Sequence, residues 1–390
     1  MKSRDWLKGL GTAYLVFANS IVLAFVVFAA LFVAWWSSDE SRRQGFSKVD
    51  YVRKMSPEAR AEYGHSSDED INVLLSETWN IRDGGWVFEP WTGFRERARA
   101  GRFVNVDEFG IRPNAGRGSG LAALNGAIWM FGGSTTFGYG VADAETIPAY
   151  LQRISHQDVV NLGRGYYYSA QENRLLRDLL VAGLVPSRVV FLDGINERCN
   201  IDVYQAEMGR LFDAAQVSTS WSSSRIFGPV KLFAYNVLLR LGGILERSAP
   251  YDASMMQRLS CSSFGTEKKL SEIVRANLIE RKLVCQQYGL ECTTFVQPFA
   301  GVHGIHVDAT SLPIEARNAL KGHYDALKDV FAEAGAVSLV EALDEKKTHA
   351  FVDNVHYSAA SNALIARAIA RYMAQAREHA RGAPEQTTGR

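Results

Sequence analysis

The stretch AIWMFGGSTTFG, residues 127–138, decides how this chain is read. Its apolar run stops abruptly at two glycines, a serine and two threonines, and a helical pattern follows from about Asp143. A strand that ends this way delivers a serine onto a tight turn at the carboxyl edge of a sheet, where open α/β sheets place their chemistry. Gly132 and Gly133 let the backbone turn without a Cβ, which leaves the Ser134 hydroxyl prominent. The plainer reading of the same residues is a glycine-rich βα loop with a serine helix cap.

Downstream of it, strand and helix patterns alternate. The strand candidates are 127–133, 159–163, 188–194, 292–298 and 336–342, and their unbroken apolar runs suit strands buried on both faces of a parallel sheet. Helical patterns fall near 144–156, 169–183, 267–289, 313–334 and 358–378, with Ser169 and Ser358 placed as N-caps. This alternation predicts an α/β fold over residues 121–380, a three-layer α/β/α domain with a parallel sheet. Residues 200–265 interrupt it with a mostly helical insertion, and 381–390 read as a disordered tail.

Upstream, no charge occurs between Gly9 and Ser38, and LVFANSIVLAFVVFAALFVAWW (15–36) is long enough for the roughly 20 residues a bilayer needs. The run exceeds a cleavable signal core and ends in Trp35-Trp36, an interfacial anchor. The expectation is an uncleaved signal anchor at 10–37. Residues 1–9 would be cytoplasmic and the rest of the chain extracytoplasmic. Residues 38–120 read as a linker followed by an irregular cap or short antiparallel strands, in which Trp79, Trp86 and Trp91 suit a small aromatic core.

The net charge of +1 without a basic run argues against nucleic acid as a partner. Four cysteines allow three pairings. The expected ones are Cys285 with Cys292, across a helix-to-strand turn, and Cys199 with Cys261, across the insertion. No CxxC occurs, GRGSG at 116–120 lacks the context of a nucleotide fingerprint, and His303 and His306 have no evident third ligand.

Four stretches fall at or beyond the carboxyl ends of strands. They are Ser134, NLGRGYYYSAQE (161–172), FLDGINE (191–197) and FVDNVHYS (351–358). A serine hydroxyl needs a base, and histidine titrates in the right range. Asp353, three residues before His356, can reach back to fix its tautomer. The oxyanion of carbonyl attack needs donors already in place, available from a loop amide near Gly165, the Asn196 side chain and the Ser134 N–H. Asp193 and Glu197 read as groups setting substrate polarity or as simply solvated. Position 136 is threonine, so G-x-S-x-G is absent and an α/β-hydrolase elbow is not indicated.

FGGSTTFG, the NxG…YSxQE stretch, DGINE and DNVH together resemble the ordered motif blocks of the SGNH (GDSL-like) hydrolase superfamily over residues 127–375. The resemblance implies a flavodoxin-like sandwich without metal or organic cofactor, with Ser134 as nucleophile, His356 as base and Asp353 as its orienter. It also implies Asn196 and a glycine-loop amide as oxyanion donors. Two positions depart from the pattern. Gly133 replaces the aspartate of Gly-Asp-Ser, and Tyr166 falls where the oxyanion glycine usually sits, leaving Gly165, Tyr166 and Gly163 as candidates.

Similar membrane-anchored members are linked to O-acetylation or deacetylation of surface polysaccharides. The implied function is therefore a serine esterase or O-acyltransferase acting on acylated carbohydrate. Its implied setting is the periplasmic side of the inner membrane, with polysaccharide-biosynthesis proteins as candidate partners. A lipid or thioester hydrolase, suggested by the apolar stretch near 225–245, and a non-catalytic polysaccharide-binding or assembly subunit are the alternatives.

Overall fold

Five strands carry the alternation in the computed structural model: β1 (Ile128–Gly132), β2 (Val159–Gly163), β3 (Arg188–Asp193), β4 (Cys292–Val296) and β5 (Val337–Ser338). They form one parallel sheet in the order β2-β1-β3-β4-β5. That is the flavodoxin-like order, whose topological switch lies between β1 and β3. The structure describes residues 14, 17, 19–31, 51–55, 57–64, 66–79, 86–114, 120–197, 260–263, 266–299, 302, 314–344, 350–353 and 355–382.

The strands are buried on both faces because each face has its own helices. Ile128 and Met130 point into one cluster with Ile147, Leu151, Ile365 and Ile369. Trp129 and Phe131 point into the other with Leu175, Leu176 and Leu180. The helices are α1 (Ser134–Phe137), α2 (Ile147–Ser155), α3 (Ser169–Val181), α4 (Leu270–Gln287), α5 (Ile314–Glu333) and α6 (Ala359–Gly382). Helix α6 packs on α2, and α4 packs on α3 and α5. Register sets the carboxyl edge: Gly132 lies opposite Gly163 and Leu192, and Asp193 opposite Val296. The segments after β1 and β3 therefore leave the sheet side by side.

Several local expectations need correction. The fifth strand is only two residues long, because the apolar residues that follow turn into a 3-10 helix burying Val340 and Leu343. Helix α4 starts at Leu270, since Thr266–Lys269 pairs antiparallel with Ser260–Ser263. Ser169 is the first helical residue and not the cap, which is Tyr168. Ser358 does cap α6, its hydroxyl accepting the Ser361 N–H at 3.3 Å. Cys285 and Cys292 are disulfide-bonded as expected. Cys199, His303, His306, the tail 383–390 and nearly all of the insertion lie outside the described residues.

Ahead of the sheet, the short antiparallel strands offered as the alternative to an irregular cap are what forms. Helices Pro57–Ala61 and Asp68–Trp79 precede two antiparallel pairs, Trp86–Glu89 with Gly93–Glu96 and Arg99–Ala100 with Asn105–Val106. Trp86 packs tilted on Phe94 and edge-on against Tyr166, while Trp91 at the hairpin tip is 72% exposed. Farther on, Arg112 bridges Asn161 antiparallel and the Asn114 amide donates to the Val159 carbonyl at 2.7 Å, so this segment runs along the free edge of β2. The described residues fall into two units, residues 14–31 in one and those from 51 onward in the other. In the first, residues 19–31 are helical and expose Leu23, Phe25 and Val26. Among the described residues, no helix is long and apolar enough to cross a membrane.

Candidate active site

The turn after β1 is shaped by what cannot fit. A Cβ on Gly132 would stand 2.1 Å from the Thr136 hydroxyl, and one on Gly133 would stand 2.1 Å from Asn196 Nδ2. Ser134 opens the single-turn helix α1, which closes at Gly138 in the left-handed region (φ 94°) with its N–H donating to the Ser134 carbonyl at 2.9 Å. Two buried side chains brace this turn from behind. Arg112 donates to the Phe137, Gly138 and Val141 carbonyls at 3.0, 2.6 and 2.7 Å and to Asp143 at 2.7 Å. Asn161 donates to the Phe137 carbonyl at 3.2 Å.

His356 arrives from the far end of the chain. Its loop folds on itself through the Phe351–Tyr357 bridge and a Val352 N–H to His356 carbonyl bond of 2.8 Å. The Asp353 carboxylate accepts the N–H groups of Val355 and His356 at 2.8 and 2.6 Å, a self-closed turn that fixes the short spacing between the two residues. His356 Nδ1–H donates to Asp353 Oδ2 at 2.8 Å, which leaves Nε2 to accept the Ser134 O–H at 2.8 Å. The Tyr139 ring stacks behind the imidazole with centroids 5.4 Å apart. Ser134 and His356 are each 8% exposed, whereas 39% of the Asp353 side chain remains open to solvent. What burial Asp353 has would raise its carboxyl, but His356 and the two N–H donors outweigh it and hold it below the ordinary range.

Asn196, from the loop after β3, places its amide against Gly133 and donates one N–H to the Tyr167 carbonyl at 3.0 Å. The loop after β2 corrects one expectation. The Gly165 N–H is already committed, donating to a buried carboxylate oxygen of Glu96 at 2.6 Å. The Gly163 N–H donates to Asn161 Oδ1 at 3.0 Å. Tyr166, the third candidate, sits in the left-handed region at φ 63°, a conformation that costs a non-glycine residue about 1–2 kcal/mol.

Asp193 and Glu197 are not solvated, at 3% and 1% exposure. Asp193 and Glu172 meet Arg281 at 2.5 and 3.1 Å, and Glu197 accepts the Ser169 N–H and hydroxyl at 2.9 and 2.7 Å. This displaces Ser169 from the capping role expected of it and ties the Asn196 loop to the start of α3. Burial, reinforced by Asp193, pushes the Glu197 carboxyl up to about 7 and that of Glu172 well above its ordinary value.

Sequence reasoning missed Glu96, Arg112 and Asn161. The alternation in GFRE does place Phe94 and Glu96 on one face of a strand, and both are buried.

No family profile matches the chain, and no curated protein matches its sequence. Among solved structures it is similar to a member of the lipolytic protein G-D-S-L family from Veillonella parvula DSM 2008. The identity is 11% and the TM-score 0.35, covering 64% of this chain and 98% of that one. It is also similar to the carbohydrate acetylesterase Est24 from Sinorhizobium meliloti, at 10% identity and TM-score 0.35 over 65% and 100%. A third is the acetyl xylan esterase AlAXEase, at 11% and 0.33 over 64% and 98%. At these values the likenesses assign nothing to this chain, and the chemistry of its site rests on its own geometry.

Proposed function

We propose that this chain is a serine acyl-ester enzyme of the SGNH type, a hydrolase or acyltransferase acting on O-acylated carbohydrate. The observation that carries the reading is the line of two 2.8 Å hydrogen bonds from Ser134 Oγ through His356 to Asp353, joining residues 222 positions apart. His356 Nε2 takes the Ser134 proton as Oγ attacks the ester carbonyl, and Asp353 stabilises the imidazolium. The imidazolium then protonates the leaving alcohol. An acyl-enzyme remains, to be released by water or by a sugar hydroxyl.

Three donors suit the oxyanion. The Ser134 N–H, at the first position of α1, has no intrahelical acceptor. The Asn196 amide keeps a second N–H beside Gly133. The third is a backbone N–H of the loop after β2 other than that of Gly165, which is committed to Glu96. Each such donor is worth roughly 10²–10³ in rate.

The carbohydrate substrate, the anchor at 10–37, the periplasmic setting and membrane partners in polysaccharide biosynthesis belong to the same proposal. The uncharged run from Gly9 to Ser38 and the exposed apolar residues of helical 19–31 support the anchor. The motif resemblance supports the substrate class. The test is covalent labelling of the full-length protein in detergent with a fluorophosphonate probe. Labelling that disappears in both Ser134→Ala and His356→Ala is the expected result. A folded parent that takes no label would remove the reading and favour a binding or assembly role.

A further inference from the structure

We propose that Glu96 is a positioning residue for the reaction at Ser134, acting through the loop 164–167, and that the hairpin 86–96 is thereby part of the active site. The inference rests on the acyl-ester reading above. It concerns residues outside the four motif stretches, in a segment that precedes the sheet.

Glu96 ends the second hairpin strand with no exposure to solvent. One carboxylate oxygen accepts the Gly165 N–H at 2.6 Å, and the other, buried, has no hydrogen-bond partner among the described residues. A Cβ on Gly165 would stand 2.3 Å from the Tyr139 hydroxyl and 3.3 Å from the Glu96 carboxylate, so only glycine fits in this clamp. Tyr139 in turn stacks on His356.

The rest of the hairpin grips the same loop. Arg164 donates to Glu89 at 2.8 Å, the Tyr167 hydroxyl to the Phe94 carbonyl at 2.6 Å, and Gln171 to the Thr92 carbonyl at 2.7 Å. The left-handed Tyr166 therefore sits between two residues, Gly165 and Tyr167, that are both tied to the hairpin. Strain of this kind persists only where the surroundings over-determine it.

The brace is a carboxylate and not an amide, which matters because a charge-assisted bond is about twice as strong as a neutral one. Burial pushes the Glu96 carboxyl up to about 7 against the opposing pull of the Gly165 N–H, Arg164 and Arg99. Tyr139, from the segment after α1, interacts with it, and Glu77 and Asp143 act together with it on Arg99. Ionised Glu96 holds the Arg164–Gly165 peptide, whose N–H it accepts, firmly ahead of the left-handed Tyr166. Protonated Glu96 loosens it, so protonation of Glu96 adds a partial loss of rate on the acid side of the profile.

The test follows p-nitrophenyl acetate hydrolysis by full-length protein against pH, with Glu96→Gln compared at equal melting temperature. In the parent, kcat loses about five- to tenfold more than in Glu96→Gln as pH falls through about 7. In Glu96→Gln that extra loss is absent, and kcat above pH 7.5 is lower by about five- to tenfold with KM within about twofold. Gly165→Ala, which forces a methyl into the clamp, lowers kcat likewise and serves if Glu96→Gln does not fold. An active parent whose kcat and pH profile survive both substitutions overturns the role of Glu96 alone. A parent that neither turns over ester nor takes the fluorophosphonate label overturns the acyl-ester reading and this inference with it.

Discussion

Gly133→Ala separates catalysis from stability at this site. The Gly133 backbone (φ −81°, ψ −153°) is open to any residue, so only space restricts it. An added methyl would lie 2.1 Å from Asn196 Nδ2, 3.3 Å from its Cγ and 3.2 Å from the Tyr167 carbonyl. The first obstacle is the tip of a side chain, so the asparagine rotates away and its 3.0 Å bond to Tyr167 is lost. One net hydrogen bond is worth about 1 kcal/mol, a few degrees in melting temperature. Moving an oxyanion donor costs about 10²–10³ in kcat, or about 3–4 kcal/mol in the transition state.

The assay is kcat for p-nitrophenyl acetate together with thermal unfolding, for Gly133→Ala, Asn196→Ala and the double variant. Because one substitution acts through the other, the double variant should be no slower than either single one. Gly133→Asp, which restores the Gly-Asp-Ser of the motif, should be impaired at least as much. Parent-like kcat in Gly133→Ala, within about threefold, would refute the placement of Asn196 as a donor.

Arg112→Met should destabilise the fold by about 3–5 kcal/mol, read as a lower urea midpoint, because it removes a buried cation that donates to three carbonyls and to Asp143. The raised carboxyls of Glu96 and Glu197, each at about 7, bind protons more tightly folded than unfolded. They therefore make stability fall as pH rises from about 4.5 to 7, by a few kcal/mol in all, and Glu197→Gln should flatten that slope in denaturant titrations. The depressed Asp353 carboxyl acts in the opposite sense and only at lower pH, its contribution lost as acid protonates it. Reducing the Cys285–Cys292 disulfide, which joins residues 7 apart in sequence, should lower stability by about 2 kcal/mol on the chain-entropy account.

The sheet was readable because strands buried on both faces leave unbroken apolar runs, and a parallel strand ending in glycines announces its own carboxyl edge. Val159–Gly163 has the expected limits for that reason. The same signal overran at β5, since an apolar run reports burial and not conformation, and Val340 and Leu343 are buried as 3-10 helix. Ser134, Asp353 and His356 stood out because their chemistry is recognisable by residue type and turn spacing, and the fold brings them within hydrogen-bonding distance. Gly165 could not be judged in the same way. Whether its N–H is available depends on a carboxylate 69 residues earlier in the chain. Ser169 has the local preference of a cap, but Glu197, 28 residues on, takes both its N–H and its hydroxyl.

The segment lying along β2 has a practical consequence. A bare outer strand is a template on which a second molecule can add its own strand, and here Arg112 and Asn114 occupy that position. A truncation beginning at residue 121, where the strand–helix alternation starts, would uncover the template. It would also remove the hairpin that holds Arg164 and Tyr167. Such a fragment should self-associate, whereas one beginning near residue 51 keeps the guard in place and remains monodisperse by light scattering. The functional boundary of this domain thus lies well upstream of its first sheet strand.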